Sequence, residues 1–342
     1  MTSDGPTPPR RYHLDANTER FGTTLVGGSP LRLFRLTDAG AAVVDRCAAG
    51  NTVEVSPLVD RLLDAGVLHP VGRSTRDPTI PHPSSAGSPD PPVPFGAEDV
   101  TIVMPSLGAP SEIPAGAIVV DDGSDPPVAG ATLRLGRNLG PAAARNAGLA
   151  RVTTPLVAFV DADVELPADW LDPLLPHFVD PRVGLVAPRV KAVPDAGASG
   201  VLARYEQIHG SLDMGAEAAR VRAGTRVSYV PTAAVVCRTD AVRAVGGFDD
   251  ALRFGEDVDL VWRLDRAGWR CRYEPAAVVG HRPRPSWRAW LRQRVDYGSS
   301  AAPLARRHPG ALAPLRMSPW SIGTWLLVVA GRPALGLSLI HI

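Results

Sequence analysis

The sequence predicts an α/β protein of two units, and three observations carry that prediction. Short apolar runs recur between residues 98 and 160, each opening into a loop with polar residues. Strands buried on both faces read this way, and an open α/β sheet binds ligands just beyond the carboxyl ends of its strands. A proline-rich stretch over 71–97 holds Pro78, Pro81, Pro83, Pro89, Pro91, Pro92 and Pro94 among Ser, Gly and Asp. Such a composition favours extended conformations and builds no core, so it reads as a linker. Ahead of it, a shorter stretch reads as strands followed by helices.

In the first unit, residues 11–70, the apolar runs Thr23 to Val26 and Leu31 to Leu36 flank the turn cluster Gly27-Gly28-Ser29-Pro30 and predict a hairpin. Ser56 then Pro57 is a helix cap followed by the position where a missing N–H costs nothing, and Leu58, Leu62 and Leu63 make a stripe that Gly66 ends. In the second unit, residues 98–310, the runs Val100 to Met104, Ala117 to Val120, Thr132 to Leu135 and Val157 to Val160 predict strands. The last segment, residues 311–342, is almost all apolar or small from Met317 to Ile342, interrupted by Arg332-Pro333. Neither half reaches the roughly 20 residues that span a bilayer. This segment is expected to be a membrane-associated stretch cut short within Leu335 to Ile342, or else a buried helix.

Composition narrows the partners. A net charge of +1 over 342 residues gives no electrostatic excess for gripping nucleic acid. Three distant cysteines, Cys47, Cys237 and Cys271, have neither disulfide-framework nor zinc-ligand spacing and suit a reducing compartment. No basic-then-apolar signal opens the chain. The expected location is the cytoplasm, with the C-terminal stretch bringing the protein to the inner face of the cell membrane.

Three loops carry chemistry. Asp121-Asp122-Gly123-Ser124 sets two carboxylates at a strand end, where they suit a nucleobase imide and ribose hydroxyls; it is also ordinary turn chemistry. Asp161-Ala162-Asp163 points two carboxylates to one side of an extended segment, a set of hard oxygens suited to Mg²⁺ or Mn²⁺ on a diphosphate, although the same spacing occurs in surface turns. Gly255-Glu256-Asp257 opens a helix whose Val258, Val261 and Leu264 recur at helical spacing until Gly268. Its amides and dipole are expected to keep the carboxylates ionised, as a general base requires, unless the acids merely cap the helix.

Together these motifs resemble family 2 glycosyltransferases of the GT-A fold. The resemblance also rests on Val100 to Pro105 and on Asn138-Leu139-Gly140 to Ala144-Arg145-Asn146, and it covers residues 98 to about 310. It implies a Rossmann-like mixed sheet and an inverting transfer of a sugar, glucose from UDP-glucose, with Mg or Mn as cofactor. Pro105, Asp121, Asp122, Arg145, Asn146 and Asp161 would bind the nucleotide sugar. Asp161, Asp163 and His281 would hold the metal, although a lone histidine is otherwise structural. Asp257 with Glu256 would be the catalytic pair, and Trp262, Arg263 and Tyr297 would meet the acceptor. The first unit resembles small PqqD-like winged-helix domains that bind precursor peptides, or is a plain appendage. A narrower resemblance is to the glycosyltransferases of mycofactocin biosynthesis, which modify a peptide-derived redox cofactor. It rests on Leu25 to Arg32, Gly140 to Gly148, Pro188-Arg189, Tyr229-Val230-Pro231, Gly280-His281, Tyr297-Gly298 and His308-Pro309-Gly310. It implies a peptide-derived acceptor. Other readings are a rhamnosyl or galactofuranosyl transferase of the cell envelope and a non-catalytic nucleotide-sugar-binding protein.

Two departures bear on this. Only eleven residues separate Pro105 from Ala117, and the next crossover, Asp125 to Ala131, is shorter, whereas a parallel crossover usually needs a dozen or more. Either two helices are trimmed to loops or the nucleotide-binding half is damaged. Gln293 to Tyr297 resembles the Gln-x-x-Arg-Trp motif of processive members with Asp296 and Tyr297 substituted; the same residues also suit an amphipathic helix.

Overall fold

The computed structural model describes residues 9–71, 94–193, 200–282, 286–312 and 319–332. Most of the proline-rich linker and the last ten residues lie outside the described residues.

The first unit contains β1 (Arg10–Leu14), β2 (Glu19–Phe21), β3 (Thr24–Gly27), β4 (Arg32–Arg35), α1 (Asp38–Ala48), β5 (Thr52–Val53), α2 (Pro57–Asp64) and β6 (Leu68–Pro70). β3 and β4 pair antiparallel with Thr24 opposite Arg35, as the turn cluster predicts. Ser56 Oγ accepts the Val59 amide and caps α2 at the expected residue. β1 pairs with both β5 and β6, and Tyr12, Val44, Val59, Leu62 and Leu68 form the core beneath.

Along the rest of the chain follow β7 (Val100–Ser106), β8 (Ile118–Asp121), β9 (Leu133–Arg134), α3 (Pro141–Leu149), β10 (Leu156–Val160), β11 (Val164–Glu165), β12 (Val183–Ala192), α4 (Val201–His209), β13 (Ala219–Val221), β14 (Ala234–Arg238), α5 (Thr239–Ala244), α6 (Glu256–Arg266), β15 (Arg270–His281), α7 (Trp287–Ser299), α8 (Ala301–Arg307) and α9 (Pro319–Val329). They build one mixed sheet in the order β11-β15-β12-β14-β10-β7-β8-β9, with β13 added on β15. β10, β7, β8 and β9 run parallel, and β14 runs against β10 and β12. The alternation of a pleated strand sorts the core: Val157 and Phe159 enter one cluster, while Leu156, Ala158 and Val160 enter the other.

The short crossovers leave the parallel pairing of β7, β8 and β9 intact. No helix joins β7 to β8 or β8 to β9, yet the parallel registers hold, with Val103 opposite Ile118 and Val120 opposite Leu133. β8 has only four residues, so the return path is about 13 Å, which a loop of eleven residues spans without a helix. α3 covers this part of the sheet, and Gly148 permits the approach, since a Cβ there would stand 2.3 Å from Val103.

The first unit is tied to the second by charge. Buried Arg270 meets Asp64 at 2.7 Å and Asp60 at 3.3 Å on α2, and Asp180 of its own unit at 2.7 Å. Arg10 donates to the Pro176 carbonyl at 2.6 Å. Among the described residues no helix is long and apolar enough to cross a membrane, and α9 spans 11 residues.

Candidate functional site

A cavity of about 620 Å³ opens beyond the carboxyl ends of β7, β8 and β10. It is closed from the opposite side by the start of α6, the end of β15 and the α7–α8 pair. The location follows from the fold, because parallel strands end there and their loops supply the lining.

On the strand side the cavity meets Pro105 and Ser106 of β7, Asp122 beyond β8, and Asn138 and Gly140 before α3. Asp122 accepts the Leu139 and Gly140 amides, each at 2.8 Å, which fixes the loop entering α3. Asp121 stands outside the cavity. Its carboxylate is fully buried and accepts the amides of Ser124 at 2.8 Å and Val128 at 3.1 Å, with Arg134 Nε at 3.4 Å. The assignment of Asp121 to the nucleotide is therefore corrected: with no helix in the crossover, this carboxylate supplies acceptors for the loop instead. Asn146 is corrected likewise, since it faces Phe248 and Asp250 and bonds both of them and not the cavity.

Arg145 lines the cavity but is engaged by protein on two sides. Nη1 donates to Glu256 Oε1 at 2.8 Å and Nη2 to Asp161 Oδ1 at 2.6 Å, with the Phe248 ring 5.3 Å from the guanidinium. Burial opposes its charge, yet the two carboxylates outweigh burial and raise its pKa. Arg145 thereby joins the loop after β10 to the start of α6. Asp163 faces a different neighbour, His281, with Oδ2 and Nε2 3.3 Å apart. The three expected metal ligands are thus divided, Asp161 on Arg145 and Asp163 on His281. Among the described residues no three His, Cys, Asp or Glu side chains form a complete metal-binding group.

α6 begins at Gly255, whose φ of 81° and close approach, a Cβ there standing 2.8 Å from Ser300 Cβ, both require glycine. Glu256 and Asp257 then enter the cavity from the first helical turn. Asp257 differs from expectation. Burial first, and then the charge of Glu256, push its pKa up to about 7, against the opposing effects of the Val258 amide at 2.8 Å and of Arg145. Burial and the charges of Glu256 and Asp161 together outweigh what the helix amide and Arg145 contribute. Tyr229 lies across the cavity, and its own pKa is raised by burial and by Asp257.

Of the acceptor residues, Trp262 and Tyr297 line the cavity. Trp262 Nε1 donates to the Ser228 carbonyl at 2.7 Å, and Gln293 donates to the Tyr297 hydroxyl at 2.9 Å. Arg263 does not reach it and is corrected: one residue beyond Trp262 on α6, a helix has turned by about 100°, and its guanidinium holds Asp259 and the Val245 and Gly247 carbonyls. Sequence reasoning missed Phe254, Val258, Leu304 and Leu312 as lining residues. Adjacency to Gly255-Glu256-Asp257 could have signalled the first two. The leucines arrive through tertiary packing alone, with α8 anchored by the His308 and Asp259 pair at 2.7 Å.

A mixed sheet of this order with acidic loops at the strand ends is the GT-A arrangement of nucleotide-sugar glycosyltransferases. Residues 117–242 match the model for glycosyl transferase family 2. The chain is 44% identical over 324 residues to the pre-mycofactocin glycosyltransferase of Mycobacterium tuberculosis, in strains CDC 1551 / Oshkosh and ATCC 25618 / H37Rv. That match covers 91% of this chain and 66% of the relative, so the chain spans just under two thirds of the curated relatives' length. The succinoglycan biosynthesis protein ExoA of Rhizobium meliloti is 31% identical over 97 residues, 27% of this chain and 29% of its own. Among solved structures, a mannosyltransferase from Pyrobaculum calidifontis in complex with GDP-Man and Mn2+ is 17% identical with a TM-score of 0.39, covering 71% of this chain and 85% of that one.

Proposed function

We propose that the cavity transfers glucose from UDP-glucose, with inversion, to a hydroxyl of a peptide-derived acceptor of the pre-mycofactocin type. The observation that carries the transfer is Asp257, a carboxylate set into the cavity wall with its pKa brought to about 7. A general base works best with a pKa near the working pH. The name of the relatives matched over 91% of the chain supports the acceptor class.

In this reading Asp257 takes the proton of the acceptor hydroxyl as its oxygen bonds the anomeric carbon, and the bond to the diphosphate breaks on the opposite face, its electron pair leaving with the diphosphate. Trp262 and Tyr297 give the acceptor aromatic faces. Asp122 orients the Leu139-Gly140 turn toward the donor. Arg145 holds Glu256 and Asp161 so that the start of α6 keeps its place. Asp163 and His281 would hold a Mg²⁺ or Mn²⁺; Mg²⁺ is usually bound through one or two carboxylates plus substrate phosphates. When bound, that ion supplies positive charge to the leaving diphosphate. The first unit, PqqD-like in this reading, presents the peptide part of the acceptor.

The test is transfer from UDP-glucose to the acceptor with product stereochemistry read by NMR. The α-linked donor should give a β-glycoside, and Asp257→Asn should give almost none. An α-glycoside, or undiminished transfer by the variant, overturns the reading.

A further inference from the structure

The seam between the two units buries a cation that no acid answers. Side chains alternate along β15: Cys271 and Tyr273 enter the core of the second unit, so Arg270, Arg272 and Glu274 share the opposite face. On that face Arg270 meets Asp60 and Asp64 of α2. Arg272 is 1% exposed, and its charge reaches Tyr12 and His69 of the first unit and His177 of the second. Its Nε and Nη2 have no hydrogen-bond partner. These two groups form the side of the guanidinium fork that grips an anion with two parallel bonds. Arg189 shows the same side filled, its Nε and Nη2 donating to the two oxygens of Asp213 at 2.8 and 2.9 Å.

The acids of the seam are taken by other groups. Asp180 gives Oδ2 to Arg270 at 2.7 Å and Oδ1 to the Arg182 amide at 3.0 Å. Glu274 accepts from His177 at 3.0 Å and from the Ala276 amide at 3.0 Å. Asp15 accepts from His69 at 3.1 Å and from the Asn17 amide at 3.0 Å. Cations are in surplus, for Arg10, Arg220 and Arg270 act on the same guanidinium, and Arg10 donates to the neutral Pro176 carbonyl at 2.6 Å. Burial first, and then the Arg270 charge, push the Arg272 guanidinium down to about 9, which leaves it charged at neutral pH. A buried unpaired charge carries one of the largest penalties in a fold, and arginine does not escape it by losing its proton.

We propose that a small inorganic anion of the size of chloride binds Arg272 at Nε and Nη2, in the seam between the first unit and β15. A water would satisfy the two N–H groups and leave the charge, whereas an anion answers both. Near-complete burial favours a small ion over an organic acid, whose carbon skeleton would need further room. The ion supplements the Arg270 contacts, so docking of the first unit gains stability from the salt around it. The inference does not depend on the transfer chemistry.

The experiment is thermal unfolding of the full chain in sodium chloride and in sodium gluconate at equal ionic strength. The midpoint should rise by roughly 2 °C or more as chloride replaces gluconate, and the rise should level off as a single site fills. A general salt effect would instead keep growing with concentration. Arg272→Met, similar in length and uncharged, should lose the rise and be at least as stable as the parent in gluconate, because an apolar side chain in place of a buried charge is often neutral or stabilising. Crystals of the parent grown in bromide give a second reading that needs no variant, with an anomalous peak in hydrogen-bonding reach of Arg272 Nε and Nη2. Equal midpoints in the two salts, as a bound water or an acid from the 71–97 stretch would give, overturn the proposal. It is also overturned if Arg272→Met keeps the full rise, or if bromide density appears elsewhere and none appears at Arg272. Should Arg272→Met not fold, the bromide crystal decides.

Discussion

A carboxylate whose pKa is raised by burial makes the folded protein less stable than it would be with a neutral isostere, and Asp257→Asn measures this directly. The ordinary value is 3.8 and the folded value about 7. The native state therefore binds more protons than the unfolded one between those pH values, so the parent loses stability as pH rises through that window. At about 1.4 kcal/mol per unit, the roughly three-unit shift gives a ceiling near 4 kcal/mol. Asp257 lines the cavity and is only half-buried, so about 1 to 3 kcal/mol is the expected range after screening. Asn keeps the shape and carries no charge. The stability of Asp257→Asn minus that of the parent should be small near pH 4, grow through pH 5 and 6, and level off above about pH 7. Urea unfolding at each pH checks it, because groups common to both proteins cancel in the difference. The same variant should lose about 10² to 10⁴ in kcat. A stability difference independent of pH, or one that falls as pH rises, refutes the electrostatic account of this residue.

Glu256→Gln removes the neighbouring charge that helps raise Asp257. The acidic limb of the kcat profile should move to lower pH, and a limb that stays in place would show that burial alone sets the value. Asp163→Ala should weaken Mn²⁺ binding by calorimetry at least about tenfold and abolish chelator-sensitive turnover; unchanged Mn²⁺ affinity would dismiss the Asp163 and His281 pair. Arg270→Ala leaves buried Asp180 without its closest cation and severs the contacts to Asp60 and Asp64, for a cost of about 3 to 5 kcal/mol in chemical denaturation. It should also make the 71–97 stretch the preferred site of limited proteolysis, and equal cleavage in both proteins would mean that other contacts hold the first unit.

Sequence alone determined what local rules can carry. Apolar runs of four or five residues located β7, β8, β9 and β10, Ser56-Pro57 located the start of α2, and Gly255 and Gly268 bracketed α6, because caps, turns and strand periodicity act over a few residues. Strand ends then pointed to Asp122, Asp161 and Asp163, and a helix start to Asp257, as cavity residues. Tertiary structure decided which neighbour each charged group would have. Asp121 adjoins Asp122 in sequence, yet a crossover without a helix draws it into its own loop. Arg145 lies 111 residues from Glu256 and 16 from Asp161, and joins them only because α3, β10 and α6 converge. Asp257 looked like a helix-cap carboxylate held ionised; its pKa was set by burial and by Glu256 in a cavity closed by α7 and α8, elements some 40 residues onward. A motif fixes which groups are present, whereas their charge depends on dielectric surroundings and on distances that only the packed chain defines.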